Sequence, residues 1–128
     1  MIEVELPYPP SVNNYWRHVG WGTPIAKHRD WGPRPRVLIS RRGRAFRKVV
    51  RSVLAAMGVR PMTGKLHVHI KLHPPDRRRR DVDNALKSLL DALEHGGAYL
   101  DDGQIVKLDV EKCQPIAGGK CIVRIEAT

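Results

Sequence analysis

The chain has 128 residues, and 23 Lys and Arg against 13 Asp and Glu leave it a net charge of +10. That length suits one domain able to bury about two thirds of the surface its unfolded form exposes, and the charge attracts polyanions, nucleic acid first and an anionic membrane surface second. A spanning helix is excluded because no segment approaches the roughly 18 apolar residues it needs, and "MIEVELPYPP" lacks the basic start and apolar run of a secretory signal, so a cytoplasmic protein with no membrane partner is expected.

Residues 2 to 6, "IEVEL", alternate apolar and acidic and read as a half-buried strand stopped by "PYPP". From about 15 to 40 the chain is rich in Gly, Pro, Arg and Trp without a stable period, which predicts a long loop. It holds all three tryptophans, Trp16, Trp21 and Trp31. Ser40 caps a helix running to about Met57, with Phe46, Val49, Val50, Val53, Leu54 and Met57 facing inward. Arg44, Arg47, Lys48 and Arg51 fall mostly on the other face, either for solubility or to track a phosphate backbone.

"KLHVHIKLH", 65 to 73, alternates cleanly, with Leu66, Val68, Ile70 and Leu72 on one side and His67, His69, Lys71 and His73 on the other. With no carboxylate in the run, the histidines are expected to face solvent or phosphate rather than a metal. A second helix begins near Asp83 and ends at Gly96 and Gly97, with Leu86, Leu89, Leu90 and Leu93 buried. "IVKLDVEKC" and "CIVRIEA" then predict a C-terminal β-hairpin across "QPIAGGK". The order implies an α+β fold: one domain over 1 to 128, a mixed β-sheet and two main helices. Cys113 and Cys121 are expected as reduced thiols, and zinc-finger spacing is absent.

The acidic residues carry the chemistry. On a helix Asp81 and Asp83 would lie about 200° apart; they converge only if Asp81 stays in extended backbone just before the helix. Helix capping and pairing with a neighbouring arginine are the structural alternatives. A second pair, Asp101 and Asp102, follows the helix in "LDDG", which also reads as a plain turn. If the chain returns so that the pairs meet, close carboxylates repel by about 4 kcal/mol at an effective dielectric near 20, and a cation must sit between them. Oxygen-only ligands select Mg²⁺ or Mn²⁺ and suit attack on a phosphodiester. Lys87, four residues after Asp83, either forms an i, i+4 ion pair or stabilises charge on the scissile phosphate.

"DRRRRDVDNALKSLLDAL" followed by "YLDD", with "LPYPPSVNNYWRH" and "SRRGRAFR" upstream, resembles the RusA family of Holliday-junction resolvases over most of the chain. The resemblance implies a small homodimeric endonuclease that binds four-way junction DNA and cuts two strands symmetrically in recombination and repair, using Mg²⁺, with Mn²⁺ as a substitute, and no small-molecule cofactor. It implies that Asp81, Asp83 and Asp102 hold the metal, that Asp101 is a supporting or alternative ligand, that Lys87 is catalytic and that Asn84 orients the site. Arg77, Arg78, Arg79 and Arg80 then grip the phosphates flanking the scissile one, with Arg44, Lys48 and Asn14 as further DNA contacts. Residues 18 to 37 look longer and richer in Trp than the family usually shows. The alternatives are a less selective branched-DNA or flap nuclease and a non-catalytic junction-binding protein.

Overall fold

The computed structural model describes residues 1–19 and 36–128. In chain order the elements are β1 (Ile2–Leu6), the helical turn α1 (Val12–Tyr15), β2 (Trp16–Val19), β3 (Arg36–Ile39), α2 (Arg41–Ala56), β4 (Leu66–His73), α3 (Val82–His95), a 3-10 turn at Asp102–Gln104, β5 (Ile105–Lys112) and β6 (Lys120–Ala127). The ends of the expected long loop are therefore ordered: β2 and β3 pair antiparallel, Trp16 opposite Ile39. Trp21 and Trp31 lie outside the described residues.

Period-two alternation builds the main sheet. Leu66, Val68, Ile70 and Leu72 of β4 are buried, as are Val4, Leu6, Val123 and Ile125 of the neighbouring strands. They pack in one core with Phe46, Val50 and Leu54 of α2 and Leu89, Ala92 and Leu93 of α3. Each such aliphatic side chain contributes about 1.5–3 kcal/mol by leaving water. The inward stripe of α2 narrows to steps of four, so Val49 and Met57 remain 41% and 50% exposed.

Ser40 caps α2 as the sequence implies: its Oγ accepts from the Gly43 amide at 3.0 Å. The same hydroxyl donates to the Tyr15 carbonyl at 2.9 Å, which fixes the N-terminal segment to the start of the helix. Ser88, buried in α3, donates to the Pro10 carbonyl at 2.6 Å and ties that segment down a second time.

The four-stranded sheet has the order β1-β6-β4-β5. β4 runs parallel to β5 and antiparallel to β6, while β1 pairs antiparallel with β6. The two C-terminal strands are present as expected, but they do not pair with each other: β4 lies between them. A parallel neighbour requires a crossover, supplied here by α3, so β5 enters one side of β4 and leaves only the other side for β6. Cys113 and Cys121 consequently stand on opposite sides of β4, and both are free thiols. Burial pushes the Cys121 thiol up to about 12.

Gly43 sits where α2 touches the turn after α1; a Cβ there would overlap the Tyr15 carbonyl oxygen and come within 2.8 Å of Ile39 Cγ2. Backbone cannot yield as a flexible side chain does. Gly43→Ala is expected to destabilise the fold by about 1–3 kcal/mol, read as a lower urea midpoint; an unchanged midpoint would show that the contact is loose.

Candidate active site

The backbone before α3 meets the condition that the aspartates impose. Asp81 is extended, with φ −84° and ψ 140°, and its side chain makes no capping bond. Asp83 lies in the first helical turn. Both are exposed, and neither forms an ion pair among the described residues. Two carboxylates that neither cap nor pair gain only from the positive end of the helix, which leaves their oxygens free for a ligand.

Beside them is a cleft of about 540 Å³ lined by Tyr8, Asn14, Arg78, Arg79, Arg80, Asp81 and Asn84, among others. The four arginines are not equivalent. Arg80 is held by Asp76 at 2.6 Å and lies over the Tyr8 ring; Arg78 approaches the same carboxylate at 3.8 Å. The Arg80 hydrogen bond, helped by the Arg78 amide, holds Asp76 down at about 2. Arg77 and Arg79 are exposed and form no ion pair among the described residues, so their charge is uncommitted. Tyr8 gave no sequence signal, because its role depends on a strand end folding against a distant loop.

Asp101 and Asp102 stand at the other end of α3. The Asp102 amide donates to Glu94 Oε1 at 2.7 Å, and Glu94, Asp101 and Asp102 offer carboxylate oxygens all within 4.8 Å of one another. Asp101 is also the cap of the 3-10 turn, accepting from the Gly103 amide at 2.9 Å. β5 then runs its 8 residues, roughly 25 Å, back towards the first pair, until Lys112 Nζ donates to the Arg80 carbonyl at 2.9 Å. α3 itself is 14 residues, roughly 20 Å, so the two pairs lie at opposite ends of it and the condition that the chain return between them is not met within one copy. The crossover carries Asp102 away from Asp81 and Asp83. Glu94 joins Asp101 and Asp102 instead; nothing in the spacing of the acidic residues singled it out.

α2 supplies a second basic surface. Arg44, Arg47, Lys48, Arg51 and His95 line a smaller cleft of about 270 Å³. Arg47 is turned inward, donating to Asp91 at 2.6 Å and to the Tyr15 hydroxyl at 2.7 Å, and Tyr15 itself hydrogen-bonds Asp91. Arg44 donates to the Ile39 carbonyl, while Lys48 and Arg51 point to solvent. Among the described residues no helix is long and apolar enough to cross a membrane.

Residues 7–126 match the sequence profile of the family described as endodeoxyribonuclease RusA. The chain belongs to the RusA family. It is 38% identical over 118 residues to the crossover junction endodeoxyribonuclease RusA of Shigella sonnei (strain Ss046), covering 91% of this chain and 87% of that protein. The RusA of Escherichia coli (strain K12) is 37% identical over the same shares, and that of Enterobacteria phage HK97 is 35% identical over 121 residues, 94% of this chain and 89% of the phage protein. In this RusA-family chain every reactive type singled out from sequence is on the surface, but divided between the two ends of one helix.

The donor set suits a hard divalent cation. The acidic groups at both ends of α3 are oxygen-only, and imidazole and thiol are absent from the three-carboxylate group. Partial burial, then the Asp101 and Glu94 carboxylates, raise the Asp102 carboxyl above its ordinary range. A raised carboxyl means that ionisation opposes folding: the penalty is absent at pH below the ordinary carboxylate range and full above the raised value. Asp102→Asn is therefore expected to raise the thermal midpoint in EDTA at neutral pH and to leave it unchanged in acid. A lower midpoint at neutral pH would show the carboxylates to be structural.

Proposed function

We propose that the protein is a divalent-metal-dependent endonuclease that resolves four-way DNA junctions, acting as a homodimer whose two active sites are each completed across the two copies. The observation that carries this reading is the separation itself. Asp81 and Asp83 lie unpaired beside an arginine-lined cleft at the start of α3, while Asp102 is crowded by Glu94 and Asp101 at its end, in a chain 37% identical to proteins named crossover junction endodeoxyribonucleases. A second copy related by a two-fold axis supplies the missing half to each site. Two sites per assembly are also what paired cuts on opposed strands require.

Asp81, Asp83 and the partner's acidic turn would hold Mg²⁺, with Mn²⁺ as a substitute. The ion supplies activation of water and stabilisation of the leaving oxygen at a phosphodiester. The chain's own groups do the rest. Arg77 and Arg79 grip flanking phosphates, and Arg80, fixed by Asp76, sets the position of the loop that carries them. Asn84 and Asn14 line the same cleft and orient the backbone with neutral hydrogen bonds. Lys87 stands one helical turn beyond Asp83, exposed and in no ion pair among the described residues; its ammonium offsets charge that develops on the phosphate. Lys48, Arg44 and Arg51 extend the phosphate track along α2, and affinity falls with salt by an exponent of about 0.9 per phosphate neutralised.

Labelled four-way junctions with Mg²⁺ or EDTA test the activity. Paired symmetric cuts with metal alone are expected; equal cutting of flaps and linear duplex would indicate a less selective nuclease, and binding without cuts a junction-binding protein. The shared site has its own test. Asp81→Asn and Asp102→Asn should each abolish cleavage while retaining junction binding. Mixed dimers of the two should regain one intact site and nick one strand. No recovery on mixing, with exchange verified, would place both halves within one chain. Lys87→Ala is expected to slow cutting by about 10²–10³ with affinity little changed, and an unaltered rate would remove it from the mechanism.

A further inference from the structure

The outer face of the sheet, opposite the helices, carries a group the nuclease chemistry does not use. The alternation of β4 puts His67 and His69 on this face, and the parallel register sets Asp109 of β5 directly beside His69. His67 Nε2 meets Asp109 Oδ2 at 2.6 Å, and His69 Nδ1 is 3.7 Å from the same oxygen. The two imidazoles lie against each other, ring centroids 3.8 Å apart, and ligand atoms of all three residues fall within 4.8 Å of one another. The carboxylate missing from the histidine run thus arrives from the neighbouring strand.

We propose that His67, His69 and Asp109 form a second metal site, selective for a borderline divalent transition ion such as Zn²⁺ over Mg²⁺. Two imidazoles and one carboxylate are a common three-ligand set for zinc, with the remaining position open to water; Mg²⁺ prefers oxygen alone. An independent observation supports it from the next shell. The other nitrogen of His69, Nε2, faces Glu126 Oε1 of β6 at 3.5 Å, and Arg124 Nε fixes that carboxylate at 2.8 Å. Ligating histidines commonly turn their second nitrogen to a carboxylate, which sets the tautomer and leaves the first nitrogen's lone pair for the metal. Here that leaves Nδ1 aimed at the Asp109 side. A bound ion would take the place of the direct His67–Asp109 contact and staple β5, an edge strand, to β4.

The test uses untagged full-length protein, freed of metal and kept in excess Mg²⁺ so that oxygen-only sites are occupied. Zn²⁺ is titrated against a chromophoric chelator. One ion per chain is expected, with affinity reduced by more than tenfold in His69→Ala and Asp109→Asn and by about tenfold in Glu126→Gln. Circular dichroism checks that the variants fold. Should one not, Co²⁺ absorption of the wild-type chain decides: an intense visible band of nitrogen-bound, non-octahedral cobalt supports the site. Equal Zn²⁺ affinity in wild type and both ligand variants, or only the weak band of octahedral cobalt, overturns it and leaves His67 and Asp109 as a plain ion pair.

Discussion

Parallel strands cannot be joined by a tight turn; the chain must travel back along their whole length before it re-enters beside its first strand. Between β4 and β5 that journey is α3. The two acidic groups singled out above take their places from this crossover. Asp81 and Asp83 follow the end of β4 at the helix start, while Glu94, Asp101 and Asp102 gather where the helix hands the chain to β5. The latch from Lys112 to the Arg80 carbonyl shows how the far end of β5 regains the arginine loop only after the acidic turn has been left behind. One chain therefore carries two separate acidic groups at opposite ends of one helix.

The N-terminal segment makes the start of α3 one side of a cleft instead of a flat helix end. Tyr8 and Asn14 form one wall and the arginine loop the other. The segment is pinned by hydrogen bonds that cross the sequence: Ser88 to Pro10, Ser40 to Tyr15, and the cluster of Tyr15, Arg47 and Asp91. Burial and the Asp91 hydrogen bond raise the Tyr15 phenol far above its usual range, so it remains a neutral donor. Arg47 is thereby withdrawn from the exposed charge of α2 and becomes part of the scaffold.

What could be read from the sequence was local. The alternation in β1 and β4 and the Ser40 cap of α2 depend on neighbours in the chain, and both are found; the backbone at Asp81, left open by the sequence, is extended. What could not be read depended on strand order. "QPIAGGK" looks like a hairpin turn, yet its flanking strands straddle β4 because the crossover has already claimed one side of it. The histidines of β4 look unpartnered until the register brings Asp109 and Glu126 alongside. In the arginine run, local charge counting cannot show that Asp76 captures Arg80 and spares Arg79.

The two ends of α3 also differ in what they cost the metal-free fold. Carboxylates at a helix N-terminus sit with the macrodipole, whereas Glu94 in the last turn, with Asp102 bonded to it, sits against the dipole. The second cluster is mixed: Glu94 and Asp101 accept hydrogen bonds from the turn's own amides, while burial and the neighbouring carboxylates disfavour the charge of Asp102. Under the proposed function, stability and activity pull in opposite directions on the Asp102 charge. A selection for heat resistance alone would neutralise Asp102 early, and under the proposed function the more stable chain would emerge with its chemistry removed.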